Sequence, residues 1–288
     1  MAHQQGINYP GQDKIRTNLK DVKHTVMVIS GKGGVGKSTI ATNLAFSLSI
    51  RGKRVGLMDI DIHGPNIAKM AGADNVEAQV LPEGTIEPVF VPPGVGIISI
   101  ASFLKDKDAP VIWRGPLKMK LISQFLGDVH WNALDFLIVD SPPGTGDEPL
   151  SVAQLVPKLA GVIIVTTPQE VALLDARKAI NFAHSLHIPI LGIIENMSGF
   201  VCPHCGQTTD IFKTGNAESA ARALSVPFAG RVPLDPGIVT SGDSGLPFVL
   251  SKDQVRAKDN FDSILENIME QIDTQDNSET ETGSSSNE

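Results

Sequence analysis

The sequence predicts an α/β protein with a doubly wound, mostly parallel sheet that carries helices on both faces. Apolar runs of strand length alternate with longer segments of helical period, and these strand runs are almost continuously apolar. Strands of that kind are buried on both faces, as in a parallel sheet covered by helices. Because no repeat or linker interrupts the pattern, we expect one domain over residues 23–273, between a flexible segment (residues 1–22) and a disordered acidic tail (residues 274–288).

The individual elements follow from length and periodicity. The runs that fit buried strands are residues 25–30, 54–59, 97–101, 135–140, 161–166 and 189–196. The segments with apolar residues three or four apart, which fit helices, are residues 37–50, 116–126, 149–156, 170–186, 216–224 and 255–272. Residues 73–93 are rich in Pro and Gly, and they predict a loop or hairpin excursion from this pattern.

Composition restricts the class of protein. The 288 residues include 24 Lys and Arg against 32 Asp and Glu, a net charge of −8, and 41% are apolar. A chain of this length buries a large core without disulfides, and its two cysteines are too close in sequence to form a disulfide framework. No apolar run is long enough for a membrane span, and the N-terminus has no leader pattern. We therefore expect a cytoplasmic protein that binds neither nucleic acid nor membrane.

A phosphate-binding loop follows the first predicted strand. The sequence GKGGVGKST matches G-x-x-x-x-G-K-[ST] at the junction between a strand and a helix, where its backbone N–H groups form an anion nest. Lys37 is expected to hold the β- and γ-phosphates of ATP, Ser38 to ligate Mg²⁺, and Thr39 to lie near the α-phosphate. The residues predicted to bind the nucleotide here are Gly31, Lys32, Gly33, Gly34, Val35, Gly36, Lys37, Ser38 and Thr39.

Lys32 adds a cation that ordinary P-loops do not require. With it, the loop resembles the deviant Walker A motif of the dimeric ATPases that include ParA, MinD, ArsA and the nitrogenase iron protein. The resemblance implies that Lys32 crosses a dimer interface to the partner's nucleotide, where its charge would act like an arginine finger. ATP binding and dimerisation would then be coupled. The alternative is a solvated surface lysine.

Acidic residues end two of the predicted strands, where ligands bind in parallel sheets. Asp140 follows an apolar run that resembles Walker B, which implies a Mg²⁺ contact through water, and Asp61 matches the switch I aspartate that positions the attacking water. Asp59 could share the metal shell or hold Lys32 in place. Asn196 occupies the position where this superfamily binds adenine through a side-chain amide, although Asn also favours turns, and Asp at a strand end is often only a cap or turn residue.

The cysteines form a C-x-x-C pair, Cys202 and Cys205, in a short loop after the last predicted parallel strand. This spacing places two sulfurs on one side of a turn, as two ligands of a tetrahedral metal or of a cluster. A four-sulfur site would need two chains related by a two-fold axis, because the chain contains no further cysteine. The open interpretations are a bridging 4Fe-4S cluster, a bridging zinc ion, a redox dithiol and inert thiols.

Six motifs together resemble the Mrp/ApbC/nucleotide-binding-protein family of iron-sulfur cluster carriers over residues 23–272. They are GKGGVGKST, DIDIHGP, WRGP, DSPPGTGD, NMSGFVCPHCG and GRVPLDP. The resemblance implies a P-loop NTPase fold of the MinD type and a homodimeric ATPase. This ATPase would hold a labile 4Fe-4S cluster at Cys202 and Cys205 of both subunits and pass it to apo iron-sulfur proteins. The four-cysteine N-terminal segment of the eukaryotic cytosolic scaffolds and the accessory domain of many bacterial members are absent, so no second cluster is expected.

An ATP-dependent dimeric switch of the MinD/ParA type, with a zinc-bridged dimer and an unknown client, is the alternative. MinD-like proteins end in a basic amphipathic helix and ParA-like proteins need a basic DNA-binding surface. This sequence ends in an acidic stretch without apolar residues, and no basic surface is evident. Neither type explains the paired cysteines.

Overall fold

An eight-stranded sheet forms the centre of the protein. The computed structural model describes residues 11–103, 115–202, 204–251 and 255–284. The strands are β1 (Val22–Ile29), β2 (Val55–Asp59), β3 (Gln79–Val80), β4 (Ile86–Glu87), β5 (Val89–Val91), β6 (Val95–Ser99), β7 (Leu134–Asp140), β8 (Leu159–Thr166), β9 (Ile190–Glu195), β10 (Phe200–Val201), β11 (Thr208–Thr209) and β12 (Phe228–Arg231). The helices are α1 (Gln12–Asn18), α2 (Lys37–Ile50), α3 (Ile67–Met70), α4 (Gly115–Gly127), α5 (Asp147–Leu155), α6 (Glu170–Ser185), α7 (Asn216–Ala223), α8 (Pro236–Asp243) and α9 (Val255–Ser284).

The strand order in the large sheet is β12-β9-β8-β1-β7-β2-β6-β5. All neighbours pair in parallel except the edge strand β5, which runs antiparallel to β6. This arrangement confirms the predicted fold class. The register places Asp59 opposite Asp140 and Val28 opposite Asp140, so the acidic strand ends and the start of the phosphate-binding loop meet at one edge.

Helices cover both faces of the sheet, and each face has its own apolar layer. On one face α2 contributes its predicted stripe of Ile40, Leu44 and Leu48, which packs with buried residues of α9 such as Phe261. The other layer is built from α1, α4, α5, α6 and α7. The strands between them are buried on both sides, which accounts for their continuously apolar sequences.

The N-terminal segment differs from the expectation of a flexible chain. Residues 11–22 contain α1, and Ile15 is buried against Gly127 at the end of α4. The Asn18 amide donates to the carbonyl oxygens of Leu126 and Val129, both at 2.8 Å. A seven-residue helix is too short to form alone, so tertiary packing that the polar composition concealed stabilises it. Residues 1–10 lie outside the described part of the chain.

The acidic tail also differs from its prediction. The sequence predicts that α9 ends at residue 272 and that the chain is disordered from residue 274, but the helix continues to residue 284. Within this extension the Thr274 hydroxyl donates to the carbonyl of Glu270 at 2.7 Å. Extending a helix is far easier than nucleating one, so a helix nucleated on the buried core continues into a polar sequence. The last four residues lie outside the described part.

The excursion over residues 73–93 contains the antiparallel hairpin of β3 and β4 and the edge strand β5. Trp113 of the WRGP motif lies outside the described residues. None of the described helices is long and apolar enough to cross a membrane.

Candidate functional site

The phosphate-binding loop connects β1 to α2, and the helix begins at Lys37. Gly34 and Gly36 have φ angles of +79° and +82°, a region that favours glycine. At Gly36 space is limiting as well, because a Cβ atom would lie 2.1 Å from the Asn196 amide nitrogen. The sequence therefore adopts the tight loop whose N–H groups and helix N-terminus form an anion site.

Lys37, Ser38 and Asp140 meet at the end of this loop. The Lys37 Nζ lies 2.6 Å from Asp140 Oδ1, and the Ser38 hydroxyl donates to Asp140 Oδ2 at 2.6 Å. The ammonium and the carboxylate are almost completely buried, with side-chain exposures of 6% and 1%. The structure thus brings together the lysine predicted to bind phosphate and both predicted Mg²⁺ ligands. A hydroxyl and a carboxylate are oxygen donors of the kind that Mg²⁺ prefers, so the residues present fit this ion.

Asp59 is fully buried beside this cluster. Burial and the neighbouring Asp140 charge raise the pKa of Asp59 to about 8, while Lys37 opposes the shift. Its carboxyl accepts hydrogen bonds from the Asp61 amide at 3.0 Å and from the Ser99 hydroxyl at 3.0 Å. The side chain therefore organises the backbone around Asp61 rather than holding Lys32.

Asp61 and Lys32 face a cleft of about 190 Å³ over the phosphate-binding loop, which Met70 and Pro143 also line. Burial raises the pKa of Asp61, and the nearby Lys37 ammonium counteracts this increase. Among the residues that the structure describes, Lys32 takes part in no ion pair. All three residues predicted to be catalytic, Lys32, Lys37 and Asp61, thus line the cleft, and Lys32 has no charged partner in its own chain within the described ranges.

A second pocket of about 240 Å³ adjoins this cleft and shares Gly36 and Thr39 with it. Its other walls come from residues 66–70, from Asn196 and Met197, and from residues 233–243, which include α8. The Asp235 side chain caps this helix by accepting from the Gly237 amide at 2.8 Å. The GRVPLDP motif was not predicted to line a pocket. Its Asp-Pro pair is typical of a helix start and is the signal that could have indicated this position.

Asn196 lines the second pocket and lies beside Gly36, which both pockets share. Its amide nitrogen donates to the Val35 carbonyl of the phosphate-binding loop at 2.9 Å. Part of its hydrogen-bonding capacity is therefore used on the loop itself, and its role in binding adenine stays a prediction.

The cysteines lie at the tip of the β10–β11 hairpin. The Cys202 amide donates to the Gln207 carbonyl at 2.9 Å, and the Gly206 amide donates to the Cys202 carbonyl at 2.9 Å. The Cys205 and His204 backbone N–H groups donate to the Cys202 sulfur, and together with the Cys205 side chain they lower the pKa of this thiol. Neither cysteine forms a disulfide, and Cys205 is exposed.

Metal ligands are sparse in the described ranges. No cluster of three or more His, Cys, Asp or Glu side chains there could hold a metal ion. The cysteine pair places two free thiols on one hairpin loop, and the described residues do not complete a four-ligand site around them.

The fold and the loop geometry together define a P-loop NTPase. A family model described as "ParA: NUBPL iron-transfer P-loop NTPase" matches residues 21–269. The chain belongs to this family, which confirms the resemblance found in the sequence.

Similar proteins carry related names. An iron-sulfur cluster carrier protein of Methanocaldococcus jannaschii is 50% identical over 260 residues, which cover 90% of this chain and 89% of that protein. The cytosolic Fe-S cluster assembly factor CFD1 of Eremothecium gossypii is 46% identical over 229 residues, 77% of this chain and 81% of that protein.

Solved structures show the same fold. The nucleotide-binding protein of Archaeoglobus fulgidus in complex with ADP has a TM-score of 0.74 and 36% identity, and the match covers 85% of this chain and 96% of that one. The cell division ATPase MinD of Pyrococcus furiosus has a TM-score of 0.65 at 24% identity over 86% of this chain and 99% of that one, which bears on the fold alone.

Proposed function

We propose that this protein is an ATP-dependent iron-sulfur cluster carrier. Two copies assemble one 4Fe-4S cluster at Cys202 and Cys205 of both chains and transfer it to apo iron-sulfur proteins. The observation that carries the proposal is a preorganised thiol pair in a chain whose other site is a nucleotide-binding loop. The cluster carriers among the relatives support this cargo, and the name of the Eremothecium gossypii relative supports a cytoplasmic location.

ATP is the nucleotide that this site would take. The loop amides and Lys37 bind its phosphates, and the pocket beside Asn196 takes the base. Ser38 and Asp140 hold Mg²⁺, which when bound neutralises charge on the phosphate oxygens. Lys37, paired with Asp140 in this structure, then turns to the phosphates.

Hydrolysis uses the residues around the cleft. Asp61 orients the attacking water, and the Asp59 carboxyl holds the Asp61 amide in place. Lys32 of one chain reaches the nucleotide of the other, where its charge stabilises the negative charge of the transition state. Because both nucleotides then lie at the interface, ATP binding closes the dimer.

The cargo site needs the second chain. Each hairpin supplies two sulfurs, and the backbone N–H groups directed at Cys202 favour the thiolate that binds iron. Four thiolates across a two-fold axis complete the ligand set of a 4Fe-4S cluster. A bridging zinc ion fits the same four sulfurs and marks the competing dimeric switch.

Substitution of one cysteine separates the cargo site from the nucleotide site. Cys202→Ala should lose the reconstituted cluster, and hence transfer to an apo-ferredoxin acceptor, while its affinity for ATP stays within about twofold. Thr208→Ala, an exposed change in the same hairpin, is the control and should load normally. Unchanged iron content in Cys202→Ala would exclude the bridging cluster.

A further inference from the structure

Two consecutive polar residues at the end of β9, Glu195 and Asn196, are buried between the phosphate-binding loop and the cysteine hairpin. Glu195 is completely inaccessible and Asn196 is 6% exposed. A carboxylate without access to water costs free energy unless several donors satisfy it. The hydrogen-bond donors around Glu195 therefore indicate which part of the structure this buried side chain stabilises.

The Glu195 carboxyl group joins the two ends of the segment that carries the cysteines. Oε1 accepts from the Ser198 hydroxyl at 2.5 Å and from the Gly215 amide at 2.8 Å. Oε2 accepts from the Ala217 amide at 2.7 Å, at the start of α7. Ser198 precedes the hairpin and Gly215 follows it, so one side chain closes the base of residues 198–215.

Further contacts fasten this base to the edge of the large sheet. The Ser198 amide donates to the Val232 carbonyl and the Leu234 amide donates to the Gly199 carbonyl, each at 2.9 Å. The Arg231 Nε also lies 3.5 Å from Glu195 Oε1. Leu234 lines the pocket beside Asn196, so the base of the segment adjoins that pocket as well.

Asn196 makes the connection to the phosphate-binding loop. Besides its hydrogen bond to the Val35 carbonyl, its amide nitrogen lies so close to Gly36 that no Cβ atom would fit between them. Its own backbone N–H donates to the Thr166 carbonyl at the end of β8, at 2.8 Å. A displacement of Val35 or Gly36 therefore acts on Asn196 directly and on Glu195 through one peptide bond.

We propose that Glu195 is a positioning residue for the cysteine pair and that the Glu195–Asn196 dipeptide couples nucleotide binding at the phosphate-binding loop to the placement of residues 198–215. Only the consequence for cluster release depends on the function proposed above, because the coupling itself belongs to the chain with or without its cargo. Such coupling is reciprocal: if nucleotide changes cluster affinity by some factor, the cluster changes nucleotide affinity by the same factor.

Glu195→Gln tests this link with little change in side-chain volume. The amide replaces one acceptor oxygen with a donor, which leaves Gly215 or Ala217 without an acceptor. Glu218→Gln is the matched control, since the Glu218 side chain also pairs with Arg231 but, among the described residues, forms no hydrogen bond with either end of the cysteine segment. Ser198→Ala removes a single contact to Glu195 and serves as the second variant if Glu195→Gln fails to fold.

The first readout is amide hydrogen exchange of the full chain without cluster, with and without Mg²⁺ and ADP. In the parent protein and in Glu218→Gln, ADP should change exchange by at least threefold both in the phosphate-binding loop and in residues 198–217. In Glu195→Gln the loop should still respond, while residues 198–217 should not. A parent protein whose cysteine segment ignores ADP, or a Glu195→Gln variant that responds like the parent, would overturn the inference.

The second readout is the rate at which a reconstituted cluster is lost to an iron chelator, with and without ATP. The ratio of the two rates should differ from one in the parent protein and approach one in Glu195→Gln. If no protein loads a cluster, the proposed function fails while the exchange experiment still decides the coupling. If all load and the ratio is the same in every variant, the coupling is wrong and the carrier function stands.

Discussion

Asp59 and Asp140 end two neighbouring strands, but their surroundings are very different. Asp140 has the Lys37 ammonium at 2.6 Å, whereas Asp59, opposite it in register, is buried without a cation of its own. The pKa of Asp59 rises to about 8 for this reason. Near neutral pH, Asp59 is therefore mainly a neutral acid that holds the backbone beside Asp61.

The raised pKa of Asp59 predicts that the effect of Asp59→Asn on stability depends on pH. Between the ordinary carboxyl pKa near 4 and the folded-state pKa of about 8, the unfolded chain releases a proton that the folded chain retains. Asp59 therefore lowers stability progressively as the pH rises through this interval. Asn mimics the neutral acid, so the melting temperature of the variant relative to the parent should rise from pH 5 to pH 8, by about 5 °C.

Thermal unfolding followed by circular dichroism at both pH values measures this difference. Asp21→Asn removes an exposed carboxylate and should shift the melting temperature little at either pH. A difference between Asp59→Asn and the parent that stays constant, or falls with pH, would show that Asp59 is ionised in the folded protein.

Asp61→Ala should separate hydrolysis from binding. The carboxylate lines the cleft but takes no part in the cluster of Lys37, Ser38 and Asp140, so its loss should slow ATP hydrolysis roughly 10²-fold or more. The affinity for ATP should stay within a fewfold. Steady-state ATPase rates and equilibrium titration with a fluorescent ATP analogue measure the two, and an equal loss of both would contradict the role assigned to Asp61.

The sequence alone could identify those site residues whose partners lie close to them in the chain. The phosphate-binding loop and the cysteine pair are contiguous motifs, so both could be found without a structure. The contacts of Glu195 with Gly215 and of Asp59 with Ser99 join residues 20 and 40 positions apart. Only the fold brings such pairs together, and sequence reasoning left Glu195 unassigned and the role of Asp59 open.

At the scale of elements, α1 belongs to the folded core. Ile15 is buried in the apolar layer that includes α4, and Ile→Ala changes at such sites cost about 2–4 kcal/mol. Ile15→Ala should lower the free energy of unfolding by this amount in a denaturant titration. Arg16→Ala, an exposed neighbour in the same helix, should change it by less than about 0.5 kcal/mol. If Ile15→Ala changed the free energy of unfolding as little as Arg16→Ala, the segment would not be packed against the core.

Helices and strands were predicted correctly where the apolar pattern is long and strongly periodic. The helix over residues 37–50 was predicted with the bounds that the structure gives, and the strand over residues 135–140 began one residue late. The edge strands β5 and β12 have three and four residues, too few for a pattern to emerge. The end of α9 was missed because helical propagation from a buried core leaves no apolar trace in the sequence.

At the scale of the whole molecule, Lys32 predicts a nucleotide-dependent dimer. Its side chain has no ionic partner among the described residues of its own chain, and it lines the nucleotide cleft. Lys32→Ala should bind ATP but stay monomeric, whereas the parent protein should dimerise with a non-hydrolysable ATP analogue. Light scattering with and without the analogue measures the mass. Lys53→Ala, an exposed change away from the cleft, should dimerise like the parent; a dimeric Lys32→Ala would place the contact elsewhere.

The most direct test of the carrier function is anaerobic reconstitution of the full chain with iron and sulfide. Iron, acid-labile sulfide, the visible spectrum and the mass in solution are then measured together. One cluster shared by two chains requires about two irons and two sulfides per chain in a brown dimer. A colourless dimer with about half a zinc ion per chain would contradict the carrier function and favour a zinc-bridged ATP-dependent switch.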